Sequence, residues 1–290
     1  MRIACIGLGR MGGPMARNLA KAGHSLIVFD LRADAIKSAA EHGAVSAATV
    51  REAAAQADAV LVSVPGPQED DEVLLGRDGV LAGARKGLLV IDTTTITVDQ
   101  SRKLAKRCKE RGVDYLECPV SGAPHGAVAA TLTVMAAGDE ATFARALPIL
   151  RCIGSNVQLI GPSGCGMAIK LINQAIYVSY MSTFAEGLAL GEAVGISLET
   201  LLDVFGSSAA GHPMIAKKYD EIRGLAKSGF ALERCMLFMD LMRESFEGVR
   251  LATPVIDAAA ASVRQALQRG LHGSDIIVAR NEYLAKRSNG

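Results

Sequence analysis

The sequence predicts an α/β fold: an N-terminal domain built as a doubly wound parallel sheet, followed by an all-helical C-terminal domain. Short apolar runs alternate with helical patterns up to about residue 162, which is typical of a mostly parallel sheet. Strand patterns then stop, and residues 163–290 show helical patterns alone, with helices expected at about 198–206, 213–227, 231–250, 254–269 and 273–287 after a long first helix. A proline-free stretch from Cys165 to about Gly195 predicts a helix of roughly thirty residues that joins the domains. We therefore expect domains at 1–162 and 163–290.

Composition excludes several classes of function. The chain has 290 residues, of which 50% are hydrophobic and 21% charged, and its net charge is +1. These values predict a sizeable core and disfavour binding to nucleic acid. The six cysteines and five histidines form no ligand pattern, so we expect reduced thiols and no metal site. Since an apolar run starts at Arg2, we expect no signal peptide and a cytoplasmic location. Polar residues in the long helix, such as Asn173 and Glu186, disfavour a membrane span.

The first element is a glycine-rich turn between a strand and a helix. The strand Arg2–Ile6 leads into Gly7-Leu8-Gly9-Arg10-Met11-Gly12, and a helical pattern follows from Pro14 to Ala22. A second strand, Ser25–Phe29, then ends at an acidic residue. Strand, G-x-G-x-x-G, helix, strand and acid in this order predict a dinucleotide-binding site, with the helix N-terminus facing the pyrophosphate.

The acidic residue indicates which dinucleotide is bound. Asp30 would accept hydrogen bonds from the ribose hydroxyls and repel a 2′-phosphate, which favours NAD. Arg32 follows Asp30 and Leu31, and its cation leaves NADP possible.

Four further strands are predicted along the chain. They are Ala59–Val64, Leu88–Asp92, Asp114–Cys118 and Leu132–Ala136, and Pro65-Gly66-Pro67 is expected to form a loop. In a parallel sheet the carboxyl ends of the strands meet at one edge. The loops after Asp30, Val64, Asp92 and Cys118 are therefore expected to surround one cleft.

Two segments near this cleft contain residues suited to chemistry. Ser121-Gly122-Ala123 follows the fifth strand, where a hydroxyl and open backbone N–H groups could bind a carboxylate; a plain tight turn is the alternative. Lys170 is the only charged residue between Arg151 and Glu186. A lysine on such an apolar helix either reaches water with its tip or acts in proton transfer. Asn173 and Gln174 share its helical face.

Taken together, these segments resemble the β-hydroxyacid dehydrogenase family. The resemblance rests on four ordered signatures covering residues 1 to about 270: Gly7 to Ala16, Asp92-Thr93-Thr94-Thr95-Ile96, Pro119 to Ala123 with Thr131-Leu132-Thr133, and Gly164-x-Gly166-x-x-x-Lys170-x-x-Asn173. It implies a Rossmann domain and a C-terminal domain like that of 6-phosphogluconate dehydrogenase.

The resemblance also implies roles for individual residues. Lys170 would be the general acid/base. The substrate-binding residues would be Ser121, Gly122, Ala123, Asn173, Gln174 and Asp240. The cofactor-binding residues would be Gly7, Leu8, Gly9, Arg10, Met11, Gly12, Asp30, Leu31, Arg32, Val64, Pro65 and Thr95.

Four positions depart from the family pattern, and one of them is Gln174, which stands where many relatives have a second asparagine. Met239 stands where many members have a lysine, directly before Asp240, which puts one contact to cofactor or substrate in doubt. Ala123 and Ala130 each replace a common glycine.

The sequence thus predicts an NAD-dependent oxidoreductase acting on a small 3-hydroxy acid or its semialdehyde. Because the Lys170 helix is apolar on nearly every face, and because the family assembles through its helical domains, we expect a homodimer or homotetramer. The alternatives are an imine reductase, a class that usually lacks this lysine, and a non-catalytic dinucleotide-binding module.

Overall fold

A computed structural model describes residues 1–212, 218–223, 225 and 230–278. The chain forms two compact units, Met1–Lys170 and Leu171–Gly290. In the part of the chain that the structure describes, no helix combines the length and apolar character needed to cross a membrane.

The first unit is built on one nine-stranded sheet with strand order β3-β2-β1-β4-β5-β6-β8-β7, in which β9 also pairs with β8. The strands are β1 Arg2–Ile6, β2 Ser25–Phe29, β3 Val45–Ser46, β4 Ala59–Val62, β5 Leu89–Asp92, β6 Asp114–Glu117, β7 Val120–Ser121, β8 Leu132–Ala137 and β9 Gly154–Gly161. Strands β1 to β6 are all parallel, while β8 runs antiparallel to β6 and β7. The predicted parallel sheet is confirmed.

The central strands are buried along their whole length. Every residue of β4 and β5 is buried, as expected for a parallel sheet covered by helices on both faces.

Three strands were not predicted. β3 and β7 have two residues each, which is too short for a periodic signal. β9 contains the exposed residues Ser155 and Asn156 and pairs only with β8 among the described strands, so it lacks the apolar run of a central strand.

Eight helices of the described chain lie between these strands. They are α1 Gly12–Lys21, α2 Ala33–Ala40, α3 Val50–Gln56, α4 Pro67–Leu75, α5 Val80–Gly83, α6 Val98–Glu110, α7 Ala123–Ala129 and α8 Glu140–Leu150. The expectation that Pro65-Gly66-Pro67 forms only a loop is wrong, because Pro67 is the first residue of α4. Proline suits this position, where its missing N–H group has no partner within the helix.

The predicted long helix is α9, Cys165–Ala193, with 29 residues. It ends slightly before the predicted Gly195, which adopts a φ of +89°. Such a left-handed residue commonly follows a helix C-terminus.

The second unit is helical where it is described. After α9 it contains α10 Leu198–Ser207, α11 Tyr219–Ile222, α12 Leu232–Ser245, α13 Pro254–Gln268 and a 3₁₀ turn, Ile276–Val278. The helix predicted for 231–250 ends earlier, at Ser245. The helices predicted for 213–227 and 273–287 fall largely outside the described residues. One side of α9 packs with these elements in a core that includes Val178, Met181, Leu188, Leu202, Leu232 and Val263.

Candidate active site and cofactor-binding residues

The glycine-rich turn has the geometry that a pyrophosphate requires. A Cβ atom on Gly12 would lie 2.0 Å from the carbonyl oxygen of Gly7, and one on Gly7 would lie 2.2 Å from that of Ser63. These two glycines therefore permit close packing between strand, turn and helix. A Cβ atom on Gly9 would meet no protein atom within 4 Å. The open space at Gly9 and the N-terminus of α1 beside it fit a bound dinucleotide.

Asp30 lies directly after β2 and supports this turn. Its Oδ2 atom accepts a hydrogen bond from the backbone N–H of Leu8 at 2.7 Å, and its Oδ1 accepts from that of Arg32 at 2.8 Å. The Arg32 guanidinium also contacts the same carboxylate, with Nε 3.2 Å from Oδ1. Burial raises the pKa of Asp30, but these hydrogen bonds outweigh burial, so the net shift is downward. Asp30 is thus a carboxylate at neutral pH.

A hydrogen-bond network connects the ends of β4 and β5. The backbone N–H of Val64 donates to Oγ1 of Thr94 at 3.3 Å. The carboxyl group of Asp92 accepts from the N–H of Thr94 at 2.9 Å and from the hydroxyl of Tyr115 at 2.8 Å. The segments predicted to hold the nicotinamide, around Val64-Pro65 and Thr95, are therefore held in a fixed arrangement at the same edge of the sheet.

Two buried acids in this region, Asp70 and Asp92, were given no role by the sequence analysis. Asp70 is fully buried in α4, and neither of its carboxyl oxygens has a hydrogen-bond partner in the described chain. Burial and the neighbouring Asp92 raise the pKa of Asp70 well above its usual range. Burial also raises the pKa of Asp92 to about 6, against the hydrogen bonds from Thr94 and Tyr115. The sequence gives a signal only for Asp92, which is an acidic residue at the end of an apolar strand.

The predicted carboxylate-binding segment lies where β7 meets α7. Ser121 pairs with Thr133 of β8, whereas Gly122 and Ala123 adopt φ values of +135° and +57°. These positive φ values mark a tight turn, and a turn is one of the backbone conformations that can present successive N–H groups to an anion. Ala130, the other alanine that replaces a family glycine, also has a positive φ of +56°. Both departures therefore fall where a glycine would be unstrained.

Lys170 lies in the second turn of α9 and is buried, with 6% of its surface exposed. The start of this helix is attached to the end of β6. Oε1 of Glu117 accepts hydrogen bonds from the backbone N–H groups of Gly166 and Met167, at 2.8 and 3.1 Å. The first turn of α9 therefore lies at the sheet edge that carries the cofactor-binding turns.

Glu117 is the third buried acid that the sequence analysis missed. It has no exposed surface, and the hydroxyl of Ser101 donates a hydrogen bond to its other carboxyl oxygen. Burial raises the pKa of Glu117 to about 7, although hydrogen bonds from the backbone amides of Gly164, Met167 and Gly166 oppose this shift.

The remaining predicted substrate-binding residues belong to the second unit. Gln174 is buried, and its Oε1 atom accepts a hydrogen bond from Nδ2 of Asn173 at 3.2 Å. Asp240 is exposed and lies 3.8 Å from the guanidinium of Arg264. Met239, at the position of the family's lysine, is buried in the apolar core of this unit. The functional roles of these residues stay predictions.

Two family models match the chain. Residues 2–161 match the NAD-binding domain of 6-phosphogluconate dehydrogenase, and residues 164–280 match the NAD-binding domain of NADP-dependent 3-hydroxyisobutyrate dehydrogenase.

Individual relatives agree with these models. The NAD-dependent L-serine dehydrogenase of Pseudomonas aeruginosa is 34% identical over 286 residues, which is 96% of each chain. The 3-hydroxyisobutyrate dehydrogenase of the same organism is 39% identical over 210 residues, covering 72% of this chain and 70% of the relative. A solved structure of Mycobacterium tuberculosis 3-hydroxyisobutyrate dehydrogenase with L-serine superposes with a TM-score of 0.87 at 29% identity, covering 97% and 98% of the two chains.

Proposed function

The chain belongs to the β-hydroxyacid dehydrogenase family. On that premise we propose that it exchanges a hydride between NAD(H) and a small 3-hydroxy acid or its semialdehyde. Lys170 is the proposed general acid/base. A short acid whose hydroxyl lies on the third carbon from the carboxyl end, such as L-serine or 3-hydroxyisobutyrate, is the substrate class that the relatives' names favour. NAD is the proposed cofactor because Asp30 remains an anion, and NADP is the less favoured alternative.

The observation that carries this proposal is the buried lysine one helical turn beyond the residues bound by Glu117. Oxidation of a hydroxyl group requires a base for the O–H proton, an anchor for the carboxylate and an acceptor for the hydride. Bound NAD would supply the acceptor. Lys170 would take the proton from the hydroxyl and, in the reverse direction, protonate the forming alkoxide.

The other predicted residues would bind and orient the substrate. The hydroxyl of Ser121 and the N–H groups of Gly122 and Ala123 would hold its carboxylate. The amides of Asn173 and Gln174 would position its carbon chain. Asp240, whose carboxylate is exposed and lies 3.8 Å from the guanidinium of Arg264, completes the proposed set.

The proposal also covers the oligomeric state, the cellular location and the partners of the enzyme. We propose a homodimer or homotetramer in the cytoplasm that binds neither nucleic acid nor membrane. The apolar residues on the exposed side of α9, such as Ile172, Ile176 and Leu190, support an assembled form, which gel filtration with light scattering would test.

The deciding experiment measures NADH and NADPH oxidation with a panel of short semialdehydes, and the reverse reaction with L-serine and other 3-hydroxy acids. Lys170→Ala and Lys170→Arg are compared with wild type, and Lys106→Ala, which removes an exposed lysine of α6, is the control. We expect both Lys170 variants to bind NADH but lose turnover, since an arginine keeps the charge but does not release a proton.

Other outcomes would identify another function. Turnover that survives in Lys170→Ala would refute the acid/base role. NADH binding without turnover of any hydroxy acid or semialdehyde would favour the non-catalytic module. A cyclic imine is added to the panel to test the remaining alternative, and turnover confined to it would favour an imine reductase.

A further inference from the structure

The helix that carries Lys170 begins without a capping side chain of its own. Gly164 precedes α9 and has a φ of +100°. Helices usually begin at a Ser, Thr, Asp or Asn whose side chain accepts a hydrogen bond from the backbone N–H of the second or third helical residue. A glycine cannot do so, and unpaired N–H groups in a buried turn are costly.

A side chain far away in sequence supplies the missing acceptor. In α9 the second and third residues are Gly166 and Met167, and a single oxygen of Glu117 accepts from both. These residues are 49 and 50 positions from Glu117 along the chain. Because Glu117 ends β6, the cap attaches the start of the helix to the sheet that carries the predicted cofactor site.

Gly166 is what allows this attachment. A Cβ atom there would lie 2.3 Å from the carbonyl oxygen of Met135 and 3.0 Å from Oε1 of Glu117. The glycine therefore lets the first turn of α9 approach β8 closely enough for the carboxylate to reach two amides. This accounts physically for the spacing Gly166-x-x-x-Lys170: in a helix the N–H of residue 170 bonds to the carbonyl of residue 166, so the lysine lies about 6 Å further along the axis.

We propose that Glu117 is a positioning residue for Lys170, acting as the cap that fixes the turn from which the lysine projects. This inference rests on the proposed function, in which Lys170 transfers the proton. The essential property of Glu117 is an acceptor oxygen at the correct distance from its own backbone. The acceptor need not be charged, since the amides of α9 can donate to a carboxylate, a carboxylic acid or an amide alike.

Two substitutions separate reach from charge. Glu117→Gln keeps an acceptor oxygen at the same reach and removes the charge, whereas Glu117→Asp keeps the charge and shortens the side chain by one methylene. Misplacement of a catalytic group by about 1 Å can cost about a hundredfold in rate. We therefore expect kcat to fall at least about tenfold in Glu117→Asp and to stay close to the wild-type value in Glu117→Gln.

A control variant separates positioning from ordinary loss of stability. Asp139 caps α8 in the same way, with Oδ1 2.9 Å from the backbone nitrogen of Thr142, but that helix carries no predicted site residue. Asp139→Ala is expected to lower the Tm and leave kcat unchanged. For every variant, kcat, KM, the NADH Kd and the Tm are measured, with the concentration of active sites taken from NADH titration.

The kinetic results lead to different conclusions. A fall in kcat in Glu117→Asp at unchanged NADH Kd, with near-wild-type kcat in Glu117→Gln, supports the proposal. Wild-type kcat in Glu117→Asp would overturn it. A loss of kcat in Glu117→Gln as large as that in Glu117→Asp would also overturn it, because an acceptor oxygen at the same distance would then not be sufficient. If Glu117→Asp does not fold, Ser101→Ala tests the proposal instead. This variant removes the hydroxyl that holds the second carboxyl oxygen of Glu117, and we expect it to lower kcat at constant KM. An unchanged kcat would overturn the proposal. Failure of the proposed function is seen separately, as activity in Lys170→Ala.

Discussion

The guanidinium of Arg32 lies against the carboxylate of Asp30, with Nε 3.2 Å from Oδ1. A cation that could favour NADP is therefore paired with the acid that favours NAD. The same acid holds the backbone of Leu8 in the glycine-rich turn, so cofactor preference and the shape of the turn depend on one side chain.

This pairing predicts the effect of removing each partner's charge. Asp30→Asn keeps an oxygen for the N–H of Leu8 but loses the anion and frees Arg32. We expect the ratio of NADPH to NADH affinity to rise about tenfold, which corresponds to about 1.4 kcal/mol, as measured by fluorescence titration with both nucleotides. Arg32→Ala is the opposite test and should weaken NADPH further. An unchanged ratio in both variants would show that neither residue contacts the adenosine ribose.

The two kinds of glycine in the turn predict opposite defects. Gly12→Ala places a Cβ atom 2.0 Å from the Gly7 carbonyl oxygen, and the overpacking should cost about 1–3 kcal/mol of unfolding free energy. Gly9→Ala meets no protein atom within 4 Å, so its stability should stay close to wild type while NADH binding weakens, because its methyl group would occupy the space of the pyrophosphate. Urea unfolding and NADH titration of both variants test this. Normal NADH binding by Gly9→Ala would place the pyrophosphate elsewhere.

The left-handed alanines predict a stabilising substitution. Ala130 follows α7 with a φ of +56°, a conformation that costs an L-residue about 1–2 kcal/mol. Ala130→Gly should raise the unfolding free energy by about 0.5 kcal/mol, once the greater freedom of glycine in the unfolded chain is subtracted. Ala129→Gly, at the last residue of α7, should instead lower it, by at most about 0.5–1 kcal/mol. Equal destabilisation by both would contradict the strain assigned to Ala130.

The buried carboxyl group of Glu117 predicts a pH-dependent stability. Burial raises its pKa to about 7, so the folded state disfavours the charged form. The stability from this group is complete below the ordinary glutamate pKa and is lost as pH rises through about 7. Glu117→Gln does not titrate, so its stability relative to wild type should rise by up to about 3 kcal/mol between pH 4 and pH 8.

Chemical denaturation across this pH range measures the difference. A difference that falls with pH would mean that the hydrogen bonds to Glu117 outweigh its burial.

Most of the fold followed from local patterns in the sequence. The parallel strands β1, β2, β4, β5 and β6 were predictable because buried strands are continuous apolar runs. The glycine-rich turn and α9 were predictable for similar reasons: the fingerprint combines residue types at fixed spacing, and a long helix needs only an uninterrupted stretch of suitable residues. Strand β9 was missed because its polar residues give no such signal.

Several features of the site were decided only by tertiary structure. The sequence by itself determined the fold class, the dinucleotide fingerprint and the candidate lysine, since each is encoded within a short segment or its spacing. It did not determine that Arg32 would pair with Asp30, that Ala123 and Ala130 would adopt left-handed conformations, or that Glu117 would cap a helix 49 residues away. Those outcomes depend on which atoms come into contact after the sheet has formed. When a hydrogen-bond donor has no acceptor nearby in the sequence, the residues around it do not indicate which distant side chain will accept.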